Sequence, residues 1–447
     1  MPTVEHGPVA DLGPTSGLLT DHYELTMVDA ALRSGVARHR AVFECFARRL
    51  PPGRRYGVLA GIGRLVEAVN RFGFDRRDLD WLDQRAFLAP ATLEWLACYR
   101  FGGTITGYRE GEVYFPGSPV LTVEASFAEA VVLETLLLSI LNHDSAVAAA
   151  GARMVTAAAG RPLIEAGGRR TAEQSAPAAA RAAYLVGFVA TSNLEAGRRY
   201  GVPTGGTSAH AFVLAHRDER SAFEAQLALT GPATTLLVDT FDLETGIRNA
   251  VAVAGPQLGA VRIDSGDLLA QARRARVLLD SLGATGTQIV LSGDLDEWSI
   301  DALALAQAPV DAMLVGTQLV TGSGAATAGL VYKLVAVADG PERQAPLRSV
   351  AKTSAGKATR GGEKRAGRRL NGAGHAVAEL VVAPGDAGLL EDPAVRGLQT
   401  TYIQHGVMGE VASLETARAH HRRAKAELAP LQLDLAPGEA ALRAETT

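Results

Sequence analysis

The sequence predicts an α/β protein: an irregular α/β (TIM-like) barrel with an N-terminal α+β domain packed against it. Three observations point there. A chain of 447 residues is too long for one ordinary compact core, which favours two domains or a barrel with additions. Between residues 162 and 317, seven short apolar runs end in polar or glycine residues: "PLIEAG", "GFVATSN", "GVPTGGTSAH", "TLLVDTFD", "AVRIDSGD", "QIVLSGD" and "AMLVGT". Most are followed by a helical pattern such as "DLLAQARRARVLLDSLG", so they read as βα repeats of a parallel sheet. Finally, no complete G-x-G-x-x-G fingerprint occurs, and a long row of such repeats without one favours a barrel over a doubly wound sheet.

The elements follow in order. Residues 1–125 form the α+β domain, with a helix after Asp21, whose spacing to Glu24 predicts a capping box, and which stops at Gly35. "RAVFECF" reads as a strand, "GRLVEAVNRFG" as a helix, and 103–125 as short β runs split by Gly and Pro. Residues 126–340 hold the barrel. Ser126 and Glu129 cap a long apolar helix to Asn142, Ser145 starts a second helix, and the repeats follow. Residues 341–447 carry a basic stretch, 352–369, read as a solvated loop in preference to a lid, and a helix at "LETARAHHRRAKAEL" that completes the N-terminal domain.

Composition excludes several classes. A formal charge of -4 without a basic stripe argues against nucleic-acid binding. With only Cys45 and Cys98, neither a disulfide framework nor a cysteine zinc site is available, which suits a cytoplasmic location. The first 17 residues lack the basic and apolar regions of a secretory signal. The stretch "AEAVVLETLLLSILNH", interrupted by Glu129 and Glu134, reads as a core helix too short to span a membrane.

In a barrel the C-terminal ends of the strands carry the site. That gathers Glu165, Arg169 and Arg170; Thr191, Ser192 and Asn193; Thr207 and His210; Asp239 and Asp242; Arg262, Asp264, Ser265 and Asp267; Ser292, Gly293 and Asp294; and Gly316 and Thr317. Backbone N–H groups in the Ser-Gly-Asp and Gly-Thr turns can cradle a phosphate, or the turns can serve chain reversal alone. Arg262 and Asp264 share one side of a strand, so the guanidinium either pairs with a ligand carboxylate or forms an internal ion pair. His210 among small residues is a hydrogen-bonded structural histidine or a nucleophile; metal binding is disfavoured because no His-x-x-x-His or Cys partner lies nearby. "SAGKAT" lacks the first glycine and the Ser or Thr of a P-loop, so any use of ATP takes another route.

The ordered strings "LLTDHYELTM", "LLETLLLSILN", "GRRTAEQSAPAAARAAYLVGF", "TSNLEAGRRYGVP", "GTSAH", "LLVDTFD", "VRIDSGDL", "SGDLDE", "VGTQLVT" and "VYKLV" resemble the nicotinate phosphoribosyltransferase family from about residue 17 to 340, with a weaker match to the end. The resemblance implies a ligase-type reaction of NAD salvage. Nicotinate and 5-phosphoribosyl 1-diphosphate give nicotinate mononucleotide and pyrophosphate, coupled to ATP hydrolysis with Mg²⁺, in a cytoplasmic homodimer. It implies that His210 is transiently phosphorylated, that Tyr23 and Thr207 lie around nicotinate, and that Arg262 faces its carboxylate. Thr317 then contacts the phosphoribosyl group beside Ser292, Gly293 and Asp294, with Arg170 and Gly316 completing the substrate-binding set and Asp264 orienting the ribose. No side chain is assigned as a metal ligand. The chain departs from the family pattern at Ser208, at Ala190 and in the basic stretch, from which no phosphate contact is carried over. The rival readings are a nicotinamide phosphoribosyltransferase, a non-catalytic nucleotide-binding barrel, and a metal-dependent hydrolase built on His210 and the aspartates.

Overall fold

The computed structural model describes residues 16–342, 345–354 and 359–446. Most of the segment read for a secretory signal, and the Gly-Lys of "SAGKAT", lie outside the described residues. The chain divides into two compact units: one takes residues up to His143, Thr327–Gln432 and the chain from Gly438, the other Asp144–Ala326 and Leu433–Pro437.

The first unit is built on a seven-stranded antiparallel sheet, in the order Leu347–Ser349, Leu330–Ala338, Arg40–Ala47, Leu121–Ser126, Thr104–Tyr108, Gln399–Gln404 and Val407–Met408. Arg40–Ala47 is buried along nearly its whole length, as its apolar run requires. It pairs with Leu330–Ala338, where Phe43 stacks on Tyr332 at 4.8 Å. That pairing draws 327–340 out of the segment read as barrel. The first part of the apolar helical stretch goes with it, because Val131, Leu133, Leu137 and Leu141 belong to the core of this sheet.

Local signals fared unevenly here. The Ser126–Glu129 capping box forms, and Gly35 ends helix His22–Ser34 with φ 85°. Asp21 is the N-cap of that helix, but its side chain caps nothing; the Glu24 carboxylate is buried and accepts from the backbone N–H and hydroxyl of Thr135 instead. Ser145 starts no helix, since Glu134–Ala157 runs straight through it. By length and composition, Phe127–Ala157 is enough to cross a membrane, contrary to the expectation that its glutamates cut it short; 67% of its most apolar window is buried in the protein, so it is a core helix.

The basic stretch is not a solvated loop throughout. Arg365–Leu370 is a strand of a four-stranded sheet with Val395–Gly397, Ala376–Val382 and Ala444–Thr446. Its Arg368 is fully buried, ion-paired to Glu112 at 2.9 Å and to Glu379 at 2.5 Å. Although burial favours a neutral carboxyl, His420, Arg368 and Arg396 together hold the Glu112 carboxyl far below the usual range. A buried cation is tolerated only with such partners.

The second unit contains a parallel sheet in the order Ala190–Thr191, Leu163–Glu165, Ala312–Val315, Gln288–Leu291, Ala260–Ile263 and Thr235–Leu237. The first repeat lies beside the last, Leu163–Glu165 against Ala312–Val315, as the first and last strands of a barrel do. Six of the seven predicted runs form strands. The third, "GVPTGGTSAH", contributes a single bridge, Thr191 to Thr204. Pro203 has no N–H to donate and two glycines follow, so this run cannot sustain a ladder. Among the described residues no pairing joins it to Thr235–Leu237, and the ring is open there.

Candidate active site

Strand Ala260–Ile263 brings Arg262 to the C-terminal end of the sheet. Its neighbour in the sheet, Gln288–Leu291, ends one residue before Ser292, and the Arg262 Nε donates to Ser292 Oγ at 2.8 Å. The same guanidinium donates to Asp264 Oδ1 at 3.0 Å and to Thr207 Oγ1 at 3.2 Å. Ser292 also hydrogen-bonds Asp264. The Asp264 backbone N–H is in turn held by Asp239 Oδ2 at 2.7 Å. Partial burial opposes ionisation of Asp264, but the Ser292 hydroxyl and the Arg262 guanidinium outweigh it and hold the carboxyl below its ordinary value. Asp264 is therefore an anion at neutral pH.

His210 begins the short helix His210–Leu214. Its Nδ1 lies 3.1 Å from Thr240 Oγ1, and its Nε2 faces Asp264 Oδ2 at 3.6 Å, beyond hydrogen-bond range. One ring nitrogen is thus anchored, and the other points into the cluster with 40% of the side chain still accessible.

Beside this cluster is a cavity of about 200 Å³ lined by Arg169, Arg170, Arg262, Asp264, Ser292, Gly293, Asp294, Gly316 and Thr317, with Ala166 and Leu314. Its wall needs glycine at 293: φ is 115°, and a Cβ there would stand 2.6 Å from the Asp264 carbonyl oxygen. Asp294 follows with φ 46°, a left-handed conformation that aspartate tolerates better than most residues. Arg169 and Arg170 are exposed, and neither guanidinium has a partner among the described residues.

Ten of the predicted site residues therefore come together at one barrel end: Arg170, Thr207, His210, Arg262, Asp264, Ser292, Gly293, Asp294, Gly316 and Thr317. Tyr23 belongs to the first unit, at the start of helix His22–Ser34, with 47% of the residue exposed. Its phenol is pushed up to about 12 by partial burial and by the charges of Glu134, Glu24 and Asp21. Three polar residues gathered with the strand tails have structural work instead. Asn193, Asp242 and Asp267 each cap the following helix by accepting a backbone N–H. Thr240 was missed, although it follows Asp239 in a strand tail and is the residue that orients His210. The Ser208 hydroxyl is buried with no hydrogen-bond partner among the described residues, and nothing in the structure explains it. Among the described residues no three His, Cys, Asp or Glu side chains converge as a metal site.

Residues 18–142 match the model of the nicotinate phosphoribosyltransferase (NAPRTase) N-terminal domain. The nicotinate phosphoribosyltransferase pncB1 of Mycobacterium tuberculosis is 54% identical over 439 residues, which cover 96% of this chain and 95% of that protein. The chain belongs to the nicotinate phosphoribosyltransferase family. The Bacillus subtilis nicotinate phosphoribosyltransferase is 37% identical over 80% of this chain and 74% of its own length. The crystal structure of human nicotinic acid phosphoribosyltransferase matches with a TM-score of 0.79 at 27% identity, covering 96% of this chain and 97% of that one. The nicotinate phosphoribosyltransferase resemblance carried by the ordered strings, and the barrel with an α+β domain that it implied, are borne out.

Proposed function

We propose that the barrel end joins nicotinate to 5-phosphoribosyl 1-diphosphate, in a step of NAD salvage driven by ATP through His210. The observation that carries this reading is Arg262, oriented by Asp264 and Ser292 and reaching Thr207, beside a cavity edged by two unpaired arginines. A guanidinium so oriented suits a planar carboxylate better than an amide, which favours nicotinate over nicotinamide.

With its carboxylate on Arg262, nicotinate presents its ring nitrogen to the ribose C1. The nitrogen–carbon bond forms, the bond from carbon to the diphosphate oxygen breaks, and positive charge develops on the sugar between them. The Asp264 anion stabilises that charge and orients the ribose hydroxyls. Arg169 and Arg170 take phosphate oxygens. Mg²⁺ usually binds one or two carboxylates plus substrate phosphates, and Asp239 Oδ1, without a hydrogen-bond partner among the described residues, would be the protein oxygen to hold it. When bound on the diphosphate, the ion offsets the charge of the leaving group.

For ATP, a proton on His210 Nδ1 shared with Thr240 leaves the lone pair on Nε2. Nε2 accepts the γ-phosphoryl group as the bond to ADP breaks, and water later cleaves the nitrogen–phosphorus bond to give orthophosphate. The added negative charge lies beside Asp264 and Arg262, where it alters the contacts that hold both substrates. The enzyme acts as a cytoplasmic homodimer. Free Cys45 and Cys98 suit a reducing compartment, and the exposed Leu194, Leu214 and Phe241 offer apolar surface for a second copy to bury.

Pyrophosphate release by the purified protein, with nicotinate and with or without ATP, tests this reading. Release that rises with ATP, accompanied by ADP and orthophosphate, is expected. No pyrophosphate under either condition contradicts the transferase reading, and release indifferent to ATP contradicts the coupling.

A further inference from the structure

We infer that Glu165 is a positioning residue: it fixes the turn that carries Arg169 and Arg170 and thereby sets the affinity for the phosphate-bearing substrate. The inference rests on the proposed transferase reading, which makes that turn a phosphate contact. Two unpaired guanidiniums on a surface turn repel each other, so something must hold the turn beneath them. Glu165 ends strand Leu163–Glu165 and is 1% exposed. One carboxylate oxygen accepts the Gly167 N–H and the other accepts the Thr191 hydroxyl. The Gly167 carbonyl then accepts the Arg170 N–H at 2.8 Å, closing the arginine turn.

The turn is also wedged from the far side. A Cβ on Gly167 would stand 2.3 Å from Val320 Cγ1 and 3.0 Å from the Gly316 carbonyl oxygen, so the turn packs directly on the Gly316–Val320 segment. Thr191 carries the connection onward. Its hydroxyl oxygen accepts the Asn193 N–H at 3.0 Å, its backbone N–H donates to Pro203, and its carbonyl accepts the Gly205 N–H at the root of the loop bearing Thr207 and His210. The carboxylate thus holds the arginine turn directly, whereas the loop bearing Thr207 and His210 hangs on the Thr191 backbone and not on the carboxylate.

The carboxylate accepts from both Gly167 and Thr191; a glutamine of the same shape keeps an acceptor for only one of them, so the Thr191 hydroxyl must turn to accept and gives up the bond it donates. Burial pushes the Glu165 carboxyl up, and among the described residues no basic side chain pairs with it, so its partners are dipoles that orient it.

The test uses Glu165→Gln, Thr191→Val and Thr191→Ser in the full chain, with initial rates measured against each substrate separately. Glu165→Gln is expected to raise the KM for 5-phosphoribosyl 1-diphosphate about 10- to 100-fold, leaving the nicotinate KM and the thermal midpoint within about twofold and a few degrees of wild type. Thr191→Val follows part of the way, and Thr191→Ser, which keeps the hydroxyl, restores the wild-type value. Equal rises in both KM values, or a lowered midpoint with an unchanged 5-phosphoribosyl 1-diphosphate KM, overturn the inference. Calorimetric binding of ribose 5-phosphate needs no turnover: weaker binding by Glu165→Gln than by wild type supports the role even if wild type makes no nicotinate mononucleotide, and equal binding overturns it.

Discussion

Replacing His210 with asparagine is expected to abolish the acid-labile, alkali-stable label that γ-labelled ATP leaves on the protein, together with all stimulation of pyrophosphate release by ATP. Phosphorylation of a nitrogen needs an imidazole with one nitrogen free and the ring held still. The contact of Nδ1 with Thr240 at 3.1 Å supplies the second requirement, and the 3.6 Å gap between Nε2 and Asp264 leaves the first satisfied. Asparagine removes the nucleophile while keeping a polar side chain, so helix His210–Leu214 and the Thr207 loop should persist. ATP-independent turnover should survive in part, because Arg262 and Asp264 remain. An acid-labile label that persists in His210→Asn excludes this histidine as the acceptor.

Arg262→Ala is expected to raise the nicotinate KM roughly 10- to 100-fold, the loss of a charge-assisted pair of about 1.5–3 kcal/mol. The guanidinium organises more than the acceptor. It bonds Asp264, Ser292 and Thr207 at once, so its loss leaves a half-buried carboxylate with the Ser292 hydroxyl but no guanidinium, and frees the Thr207 loop. A fall in kcat should therefore accompany the rise in KM. Arg262→Lys should not restore either, because a point charge cannot address three acceptors in a plane. Steady-state rates at varied nicotinate decide this, and an unchanged KM counts against the assignment.

From the residues themselves only the placement of His210 and Arg262 at a barrel end was legible; their roles were read from the family resemblance. Period-two strand tails followed by helical patterns mark barrel ends, and side-chain alternation puts Arg262 and Asp264 on one side. What sequence reasoning blurred was which polar tail residues serve ligands and which serve the fold. Asn193, Asp242 and Asp267 stand in the same tails as Asp264, yet each is used as a helix N-cap. The residue three positions on, whose N–H needs an acceptor, is the signal that separates them. Thr240 was invisible because its partner, His210, is thirty positions away. The third repeat read as a strand on its apolar residues, but Pro203 and the glycines limit it to one bridge. The basic stretch misled in the other direction. Its charge suggests solvent, whereas Arg368 is buried because Glu112 and Glu379, far apart in sequence, converge on it.

The central claim is that this barrel end transfers a phosphoribosyl group to nicotinate. The most direct measurement gives the purified wild-type protein equal concentrations of nicotinate and nicotinamide with 5-phosphoribosyl 1-diphosphate, ATP and Mg²⁺, and separates the products. Nicotinate mononucleotide and pyrophosphate in equal amounts, with little nicotinamide mononucleotide, is the predicted result. Nicotinamide mononucleotide as the main product, or neither nucleotide, would contradict it.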